Sequence, residues 1–179
     1  MVRIAVLVSG GGTNLQALID AVLENKIDGE IVFVASNRMK AYGLERARNA
    51  GIDAECIKDE ALLISKLEEY KVDLIVLAGY LAILSSDFIN KFENKIINIH
   101  PSLLPAFKGK DAIQQAFDYG VKVMGVTVHY VDNGMDTGKI IAQDSFNVMP
   151  MDTISDVEKN IHAIEHRLYP EVLRKLLEE

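Results

Sequence analysis

The sequence predicts an α/β fold, a Rossmann-like doubly wound, mostly parallel sheet extended by C-terminal antiparallel strands and a long final helix. Short runs rich in Val and Ile alternate with amphipathic stretches through the first hundred residues, the pattern of a parallel sheet with helices on its faces. After His100 two longer apolar runs flank a polar loop, as in an antiparallel pair. We expect one domain over 1–179, with 1–100 as its nucleotide- or phosphate-binding half.

The first strand is the clearest element of that half. Val2–Val8 is apolar except for Arg3, which is typical of a strand buried on both faces. Further strands are predicted at Ile31–Ala35, Ala54–Ile57, Val72–Ala78 and Ile96–Ile99. Helices are predicted over Leu15–Val22, Leu44–Ala50, Leu62–Tyr70 and Phe88–Phe92.

The second half predicts two strands between two helices. A helix is expected at Ala112–Tyr119, strands at Val123–Val131 and Lys139–Val148, and a long helix from about Thr153. Apolar residues at helical spacing, such as Ile161 and Leu168, define the inner stripe of this last helix. Pro170 within it should kink the helix or begin a new segment.

Composition excludes several classes of protein. With 49% apolar and 25% charged residues, the 179-residue chain has ordinary globular composition. No apolar run approaches the roughly 18 residues of a membrane helix, so no membrane partner is expected. The net charge of −7 opposes a nucleic-acid partner. Cys56 is the single cysteine, which excludes an internal disulfide and a cysteine-based zinc site; we expect a reducing cytoplasm and no metal.

A glycine-rich turn, Ser9-Gly10-Gly11-Gly12-Thr13-Asn14, joins the first strand to the first helix. Glycines let backbone N–H groups approach a ligand, and the helix N-terminus favours an anion such as phosphate. The Walker A and dinucleotide patterns both fail, the latter because Leu15 occupies its third glycine position. The turn therefore suits a small phosphate ester, although a turn that binds nothing remains the alternative.

Asn98 and His100 lie two residues apart at the end of a strand and should face the same side. An amide can donate to a developing oxyanion, and an imidazole can carry a proton near neutral pH. Asp132 and Asp136 are candidate acidic neighbours of that imidazole. The spacing leaves open that His100 is a structural histidine and Asp136 an ordinary turn former. Structural or surface roles are favoured for the other histidines, His129, His162 and His166.

Several separated motifs resemble the formyltransferases that use 10-formyltetrahydrofolate. Asn98–Pro105, Gly125–Val131 and Met135–Gly138 carry this resemblance. Ser9–Leu18, Gly43–Ala47 and Leu77–Tyr80 are similar to the branch that acts on glycinamide ribonucleotide. Because these motifs occur in order over almost the whole chain, a chance similarity is excluded.

The resemblance implies a formyltransferase fold and transfer of a formyl group to the glycyl amine of glycinamide ribonucleotide in purine synthesis. It implies small-molecule substrates, no metal, a monomer or weak homodimer, and a folate-binding half over 101–179. The catalytic set it implies is Asn98, His100 and Asp136. The ribonucleotide contacts it implies are Gly11, Gly12, Thr13, Asn14 and Glu165. The folate contacts it implies are Leu81, Ala82, Ile83, Leu84, Val131 and Asp132, together with Asn98 and Asp136.

The chain departs from the family pattern at three places. Leu81-Ala82 stands where many members have Met-Arg, so an arginine for the folate tail is missing and Lys58 is the nearest basic candidate. Gly11 replaces a side chain found in some relatives, and Lys108 replaces a frequent proline. We expect weaker affinity for the folate tail.

The sequence is also compatible with other formyltransferases and with a noncatalytic module. Formyltetrahydrofolate deformylase and methionyl-tRNA formyltransferase share the catalytic core but carry an additional domain, which we do not expect in a chain of this length and charge. Chain length and charge argue less strongly against the sugar-nucleotide formyltransferases. A noncatalytic phosphate-sensing module would keep the glycine turn without needing Asn98, His100 and Asp136 together.

Overall fold

The computed structural model describes residues 1–178, in which seven strands form one sheet of order β3-β2-β1-β4-β5-β6-β7. The strands are β1 Val2–Val8, β2 Gly29–Ser36, β3 Ala54–Cys56, β4 Leu74–Leu77, β5 Ile96–His100, β6 Val123–Tyr130 and β7 Ile140–Asn147. The helices are α1 Thr13–Leu23, α2 Tyr42–Asn49, α3 Glu60–Glu69, α4 Ser86–Lys91, α5 Ala112–Tyr119 and α6 Ile154–Glu178.

Five strands run parallel, and the last two add antiparallel pairs, β6 to β5 and β7 to β6. The order of the parallel strands reverses at β1, because the chain builds β2 and β3 on one side before placing β4 on the other. Ligands of open α/β sheets bind beyond the carboxyl ends of the strands at such a reversal. The fold class expected from the sequence is confirmed.

The two faces of the sheet bury separate cores. Along β1, Ile4, Val6 and Val8 pack toward α1, α2 and α6, whereas Ala5 and Leu7 pack toward α3 and α4. Both sets are fully buried, so the apolar run of this strand satisfies two cores at once. No helix within residues 1–178 combines the length and apolar composition that crossing a bilayer requires.

The helix α6 continues through Pro170, so no new segment begins there. Proline removes one backbone hydrogen bond from a helix, but Tyr169, Val172 and Leu173 on either side of it are buried. The Tyr169 hydroxyl donates to the carbonyl of Leu77 at 2.8 Å and lies 3.3 Å from that of Ile97. This packing holds the helix against β4 and β5 despite the missing bond.

Candidate active site

A histidine and an aspartate from distant segments meet beyond the end of β5. Nδ1 of His100 lies 3.5 Å from Oδ2 of Asp136, and their side chains are 7% and 13% exposed. Asp136 has a φ of 53°, in the left-handed region that Asp tolerates better than most residues. The loop after β6 thus turns back over β5 and delivers its carboxylate to the imidazole.

Backbone groups of the Pro101–Lys110 loop hold both side chains. Nε2 of His100 donates to the carbonyl of Phe107 at 2.9 Å, and the N–H of Gly109 donates to Oδ2 of Asp136 at 2.7 Å. A carbonyl only accepts, so Nε2 carries a proton and Nδ1 is the nitrogen presented to Asp136. The 3.5 Å separation exceeds the usual 2.7–2.9 Å of a charge-assisted hydrogen bond, so the two groups are in contact without a close hydrogen bond.

Asn98 joins this group through a second histidine. Asn98 pairs with His129 across β5 and β6, and Nδ2 of Asn98 lies 3.4 Å from Nε2 of His129. That nitrogen also lies 3.8 Å from Oδ1 of Asp136. The predicted residues Asn98, His100 and Asp136 therefore share one cluster, which is completed by His129.

A buried polar network braces the loop that holds His100. Thr127 on β6 accepts from the N–H of Leu104 at 3.1 Å and donates to the carbonyl of Ser102 at 2.7 Å. Gln143 on β7 donates to the carbonyl of Leu104 and to the Thr127 hydroxyl, at 2.9 and 3.0 Å. The two antiparallel strands thereby anchor the loop through three of its backbone groups, the N–H and carbonyl of Leu104 and the carbonyl of Ser102.

The glycine-rich turn lies at the carboxyl end of β1 and leads into α1. Gly12 is the residue before the helix, with φ 71° and ψ 30°, and no side chain caps the helix. A Cβ on Gly10 or Gly11 would meet nothing within 4 Å, so the backbone of the turn borders open space. The first N–H groups of α1 are thus available to an anion.

The helix α2 supports this turn from behind. The N–H of Gly43 donates to the carbonyl of Gly10 at 3.0 Å, and a Cβ on Gly12 would lie 2.6 Å from the Cα of Gly43. Nε of Arg46 donates to the carbonyl of Gly11 at 2.7 Å, and its guanidinium stacks on Tyr42, 4.9 Å from the ring centroid. The shape of the turn therefore depends on α2 as well as on its own glycines.

Glu165 of α6 reaches the same turn. Nδ2 of Asn14 donates to Oε2 of Glu165 at 3.4 Å, and Nδ1 of His162 donates to that oxygen at 3.0 Å. Glu165 is 6% exposed, whereas Oδ1 of Asn14 is buried without a hydrogen-bond partner among residues 1–178. The hydrogen bond from His162 to Glu165 raises the pKa of His162.

The expected folate segment follows β4 and lies next to the end of β1. Leu81 and Ile83 are exposed, at 62% and 89%, while Ala82 and Leu84 are half-buried. The N–H of Leu81 donates to the Ser9 hydroxyl at 2.8 Å. Val131 and Leu84 pack against the same core on one face of the sheet.

Two other predicted residues of this region have different surroundings. Asp132 is exposed, and its Oδ1 accepts from Thr137 at 2.6 Å and from the N–H of Gly134 at 3.0 Å, which shapes its own loop. Lys58 is exposed in the connection before α3. Within the described part of the chain no group of three or more His, Cys, Asp or Glu side chains is arranged to hold a metal ion.

Three residues of the site were missed by reasoning from spacing. His129 was assigned a structural role, although Thr127 and His129 alternate as polar residues on one face of an apolar strand. That alternation was the available signal, because an antiparallel partner of β5 must place this face beside Asn98 and His100. Arg46 and His162 gave no such signal, since Arg46 contacts a turn that is distant in the chain and the partner of His162, Glu165, was identified by resemblance alone.

Comparison with known proteins assigns the chain to a family. Residues 2–173 match the family model described as formyl transferase. The phosphoribosylglycinamide formyltransferase of Bacillus subtilis (strain 168) is 41% identical over 186 aligned residues, 99% of this chain and 95% of that protein. The trifunctional purine biosynthetic protein adenosine-3 of Homo sapiens is 40% identical over 96% of this chain, which spans 18% of that longer protein.

Solved structures agree with the sequence comparison. Glycinamide ribonucleotide transformylase 1 from Geobacillus kaustophilus superposes with a TM-score of 0.96 at 43% identity, covering 99% of both chains. The enzyme of the same name from Symbiobacterium toebii gives a TM-score of 0.95 at 48% identity, over 99% of this chain and 88% of that one. With the family model matched over residues 2–173 and relatives of 40% or greater identity aligned over nearly its whole length, this chain belongs to the formyl transferase family.

Proposed function

We propose that this protein is an enzyme that transfers the formyl group of 10-formyltetrahydrofolate to the glycyl amine of glycinamide ribonucleotide. The products are formylglycinamide ribonucleotide and tetrahydrofolate. The observation that carries this proposal is the 3.5 Å approach of Asp136 to His100 beside Asn98, in a chain of this family. Two relatives named for this substrate match 95% or more of their own length.

The ribonucleotide binds at the glycine-rich turn. Its phosphate accepts from the backbone of Gly11, Gly12, Thr13 and Asn14 at the N-terminus of α1. Free N–H groups and the helix dipole stabilise such an anion without a metal. Glu165, buried at 6% exposure and 3.4 Å from Asn14, accepts from the ribose hydroxyls. This arrangement directs the glycyl amine toward the end of β5.

The formyl folate binds along the other side of the site. Leu81, Ala82, Ile83 and Leu84 cover one face of the pterin, and Val131 and Asp132 close the opposite side. The exposed side chains of Leu81 and Ile83 supply apolar area, and backbone groups of both segments supply the polar contacts. The half formed by residues 1–100 thus supplies the phosphate contacts and one wall of the folate site. The half formed by residues 101–179 supplies the other wall and completes the sheet.

The chemical step is an acyl transfer. The neutral amine attacks the formyl carbon, a C–N bond forms, and the carbonyl electron pair moves to oxygen. Asn98 and protonated His100 stabilise that oxyanion, and the Asp136 carboxylate pairs with the imidazole at 3.5 Å. The tetrahedral adduct then breaks its bond to the folate N10, which takes up the proton that the attacking nitrogen releases. Asp136 orders the water that carries this proton.

Measuring formyl transfer with each acceptor tests this function. We expect turnover with glycinamide ribonucleotide and tetrahydrofolate release that depends on it. Folate release at the same rate without ribonucleotide would indicate water as acceptor and contradict the proposal.

A thermal-shift assay separates the enzyme from a phosphate sensor. An enzyme should be stabilised by the ribonucleotide and by a nonreactive folate analogue, and most by both together, because each ligand binds only the native state. A response to the ribonucleotide alone favours a sensor. His100→Ala should reduce turnover by about 100- to 1000-fold or more, the range for loss of one oxyanion donor.

A further inference from the structure

The protonation state of His129 follows from its partners. Nδ1 of His129 lies 2.8 Å from the carbonyl oxygen of Tyr130. Because a carbonyl only accepts, Nδ1 must carry a hydrogen, and in the neutral ring Nε2 then holds a lone pair. His129 is 2% exposed, and this burial lowers its pKa below the usual value. The ring is therefore neutral, with its acceptor nitrogen turned toward the catalytic cluster.

That acceptor decides how the Asn98 carboxamide lies. Nδ2 of Asn98 is 3.4 Å from Nε2 of His129, a donor facing an acceptor. The opposite orientation would place Oδ1 of Asn98 against the lone pair of His129, so two acceptors would meet in a site that is largely buried. The ring thus selects one of two orientations that have almost the same shape.

We propose that neutral His129 is a positioning residue, which holds the Asn98 carboxamide with its amino group, and not its carbonyl oxygen, on the side that serves the formyl oxygen. The proposal rests on the proposed function, because it assigns the second N–H of this amide to the oxyanion. Asn98 remains the catalytic residue, and His129 acts through it. The two orientations of the carboxamide, which differ by rotation about the Cβ–Cγ bond of Asn98, have the same shape. An ordered acceptor is therefore needed to select one of them.

Protonation of His129 should reverse the choice. A hydrogen on Nε2 attracts Oδ1 of Asn98 and repels its amino group, so the amide rotates and faces the oxyanion with a carbonyl oxygen. The charged groups facing the ring are Asp136 at 3.8 Å, Asp132 and His100. The two aspartates favour protonation, while His100 and burial oppose it. Activity should therefore fall on acidification through loss of the correct amide orientation.

Two variants at this position separate positioning from packing. In His129→Gln, the side-chain oxygen can occupy the place of Nε2 and accept from Asn98 but has no proton to gain. In His129→Leu, similar volume remains without an acceptor. We expect His129→Leu to lower kcat about 30-fold, less than the roughly 100-fold or more for removing a donor outright, with both KM values nearly unchanged. His129→Gln should retain most of kcat, and its kcat relative to wild type should rise as the pH is lowered below the ordinary imidazole pKa of about 6.5.

A loss in His129→Gln as large as in His129→Leu, or parallel pH profiles of His129→Gln and wild type, would overturn the proposal. Long-range ¹H–¹⁵N NMR of the wild-type protein provides a test that needs no variant to fold. It should find hydrogen on Nδ1 of unprotonated His129, and hydrogen on Nε2 would overturn the proposal. Absence of formyl transfer by wild-type protein would contradict the proposed function instead, so the two failures are distinguishable.

Discussion

One oxygen of Asp136 contacts the imidazole of His100 and the backbone of Gly109 together, at 3.5 Å from Nδ1 and 2.7 Å from the N–H. The carboxylate is therefore held by a loop that follows His100 in the chain, although Asp136 itself lies beyond β6. Movement of either loop would change the distance between the acid and the imidazole.

Replacing Asp136 by Asn should remove the negative charge while keeping an oxygen for the N–H of Gly109. We expect kcat to fall about 100- to 1000-fold, the loss typical of removing a group that stabilises transition-state charge, with a melting temperature close to wild type. Steady-state kinetics and thermal unfolding check this. Asp118→Asn is the matched control, because Asp118 is exposed on α5 and contacts Gln114. Turnover by Asp136→Asn equal to that of the control would reject the catalytic role.

Arg46→Met should weaken ribonucleotide binding through the shape of the glycine-rich turn. Loss of its hydrogen bond to the carbonyl of Gly11 should raise the KM for the ribonucleotide about tenfold, equivalent to the roughly 1.5 kcal/mol of a hydrogen bond from a charged group. The KM for formyl folate should be unchanged. Arg48→Met is the control, since Arg48 lies on the same helix, is half-exposed and pairs with Glu45.

Arg46→Lys distinguishes geometry from charge in the same assay. Lysine keeps the positive charge near the phosphate but lacks the planar fork that stacks on Tyr42 and reaches Gly11. Behaviour like Arg46→Met supports control of the turn by the hydrogen bond. Full recovery of the wild-type KM would instead indicate a purely Coulombic contribution.

Ala82→Arg should strengthen binding of folates that carry several glutamates. The chain lacks the arginine common at this position, and the carboxylate of Glu60 accepts from the N–H of Ser85 at 2.9 Å, next to the same segment. An anion there repels the carboxylates of a folate tail. We expect a lower KM for polyglutamylated formyl folate in Ala82→Arg and an unchanged KM for a substrate without the tail. A wild-type KM that is clearly lower for the polyglutamylated substrate than for the substrate without the tail would contradict weak tail binding.

Stability should depend on pH through His162. Because Glu165 raises the pKa of His162 in the folded state, the folded protein binds this proton more tightly than the unfolded chain does. The contribution to stability is complete below the unfolded pKa of about 6.5 and is lost as the pH rises through the folded value. With the His162 side chain 53% exposed, the effect is partly screened by solvent.

Thermal unfolding of His162→Gln checks the sign of this effect. The melting temperature of wild type relative to His162→Gln should be higher at pH 6 than at pH 8.5. The pH dependence of this difference should disappear in a Glu165→Gln background, because the partner that retains the proton is then neutral. A difference that grows with pH would show that the linkage has the opposite sign.

The elements of the fold were readable because each depends on local periodicity. The strand Val2–Val8 has the predicted bounds, and β6 lies within the predicted Val123–Val131. Both were predictable because a short continuous apolar run is typical of a buried strand. The helix α6 is longer than Pro170 alone would suggest, because buried residues on both sides of the proline stabilise it.

Only part of the site could be predicted from the sequence. Asn98 and His100 were paired by their spacing on one strand, but their approach to Asp136 depends on a loop whose path no periodicity describes. Arg46 contacts the glycine-rich turn, and Glu165 contacts α1, so each of these residues bonds to a segment that is distant in the chain. Motif resemblance pointed to Asp136 and Glu165 without giving distances, and their roles stay predictions until they are measured.

The anchoring of α6 by Tyr169 has a consequence for assembly during synthesis. A nascent chain that has not yet released Ile154–Glu178 from the ribosome can pair its strands, but it lacks the side chain that binds the Leu77 carbonyl. It also lacks the carboxylate that faces Asn14. With the contact proposed between Glu165 and the ribose, competence to bind the ribonucleotide would therefore arise late in translation, after the residues of the cluster around β5 have been made.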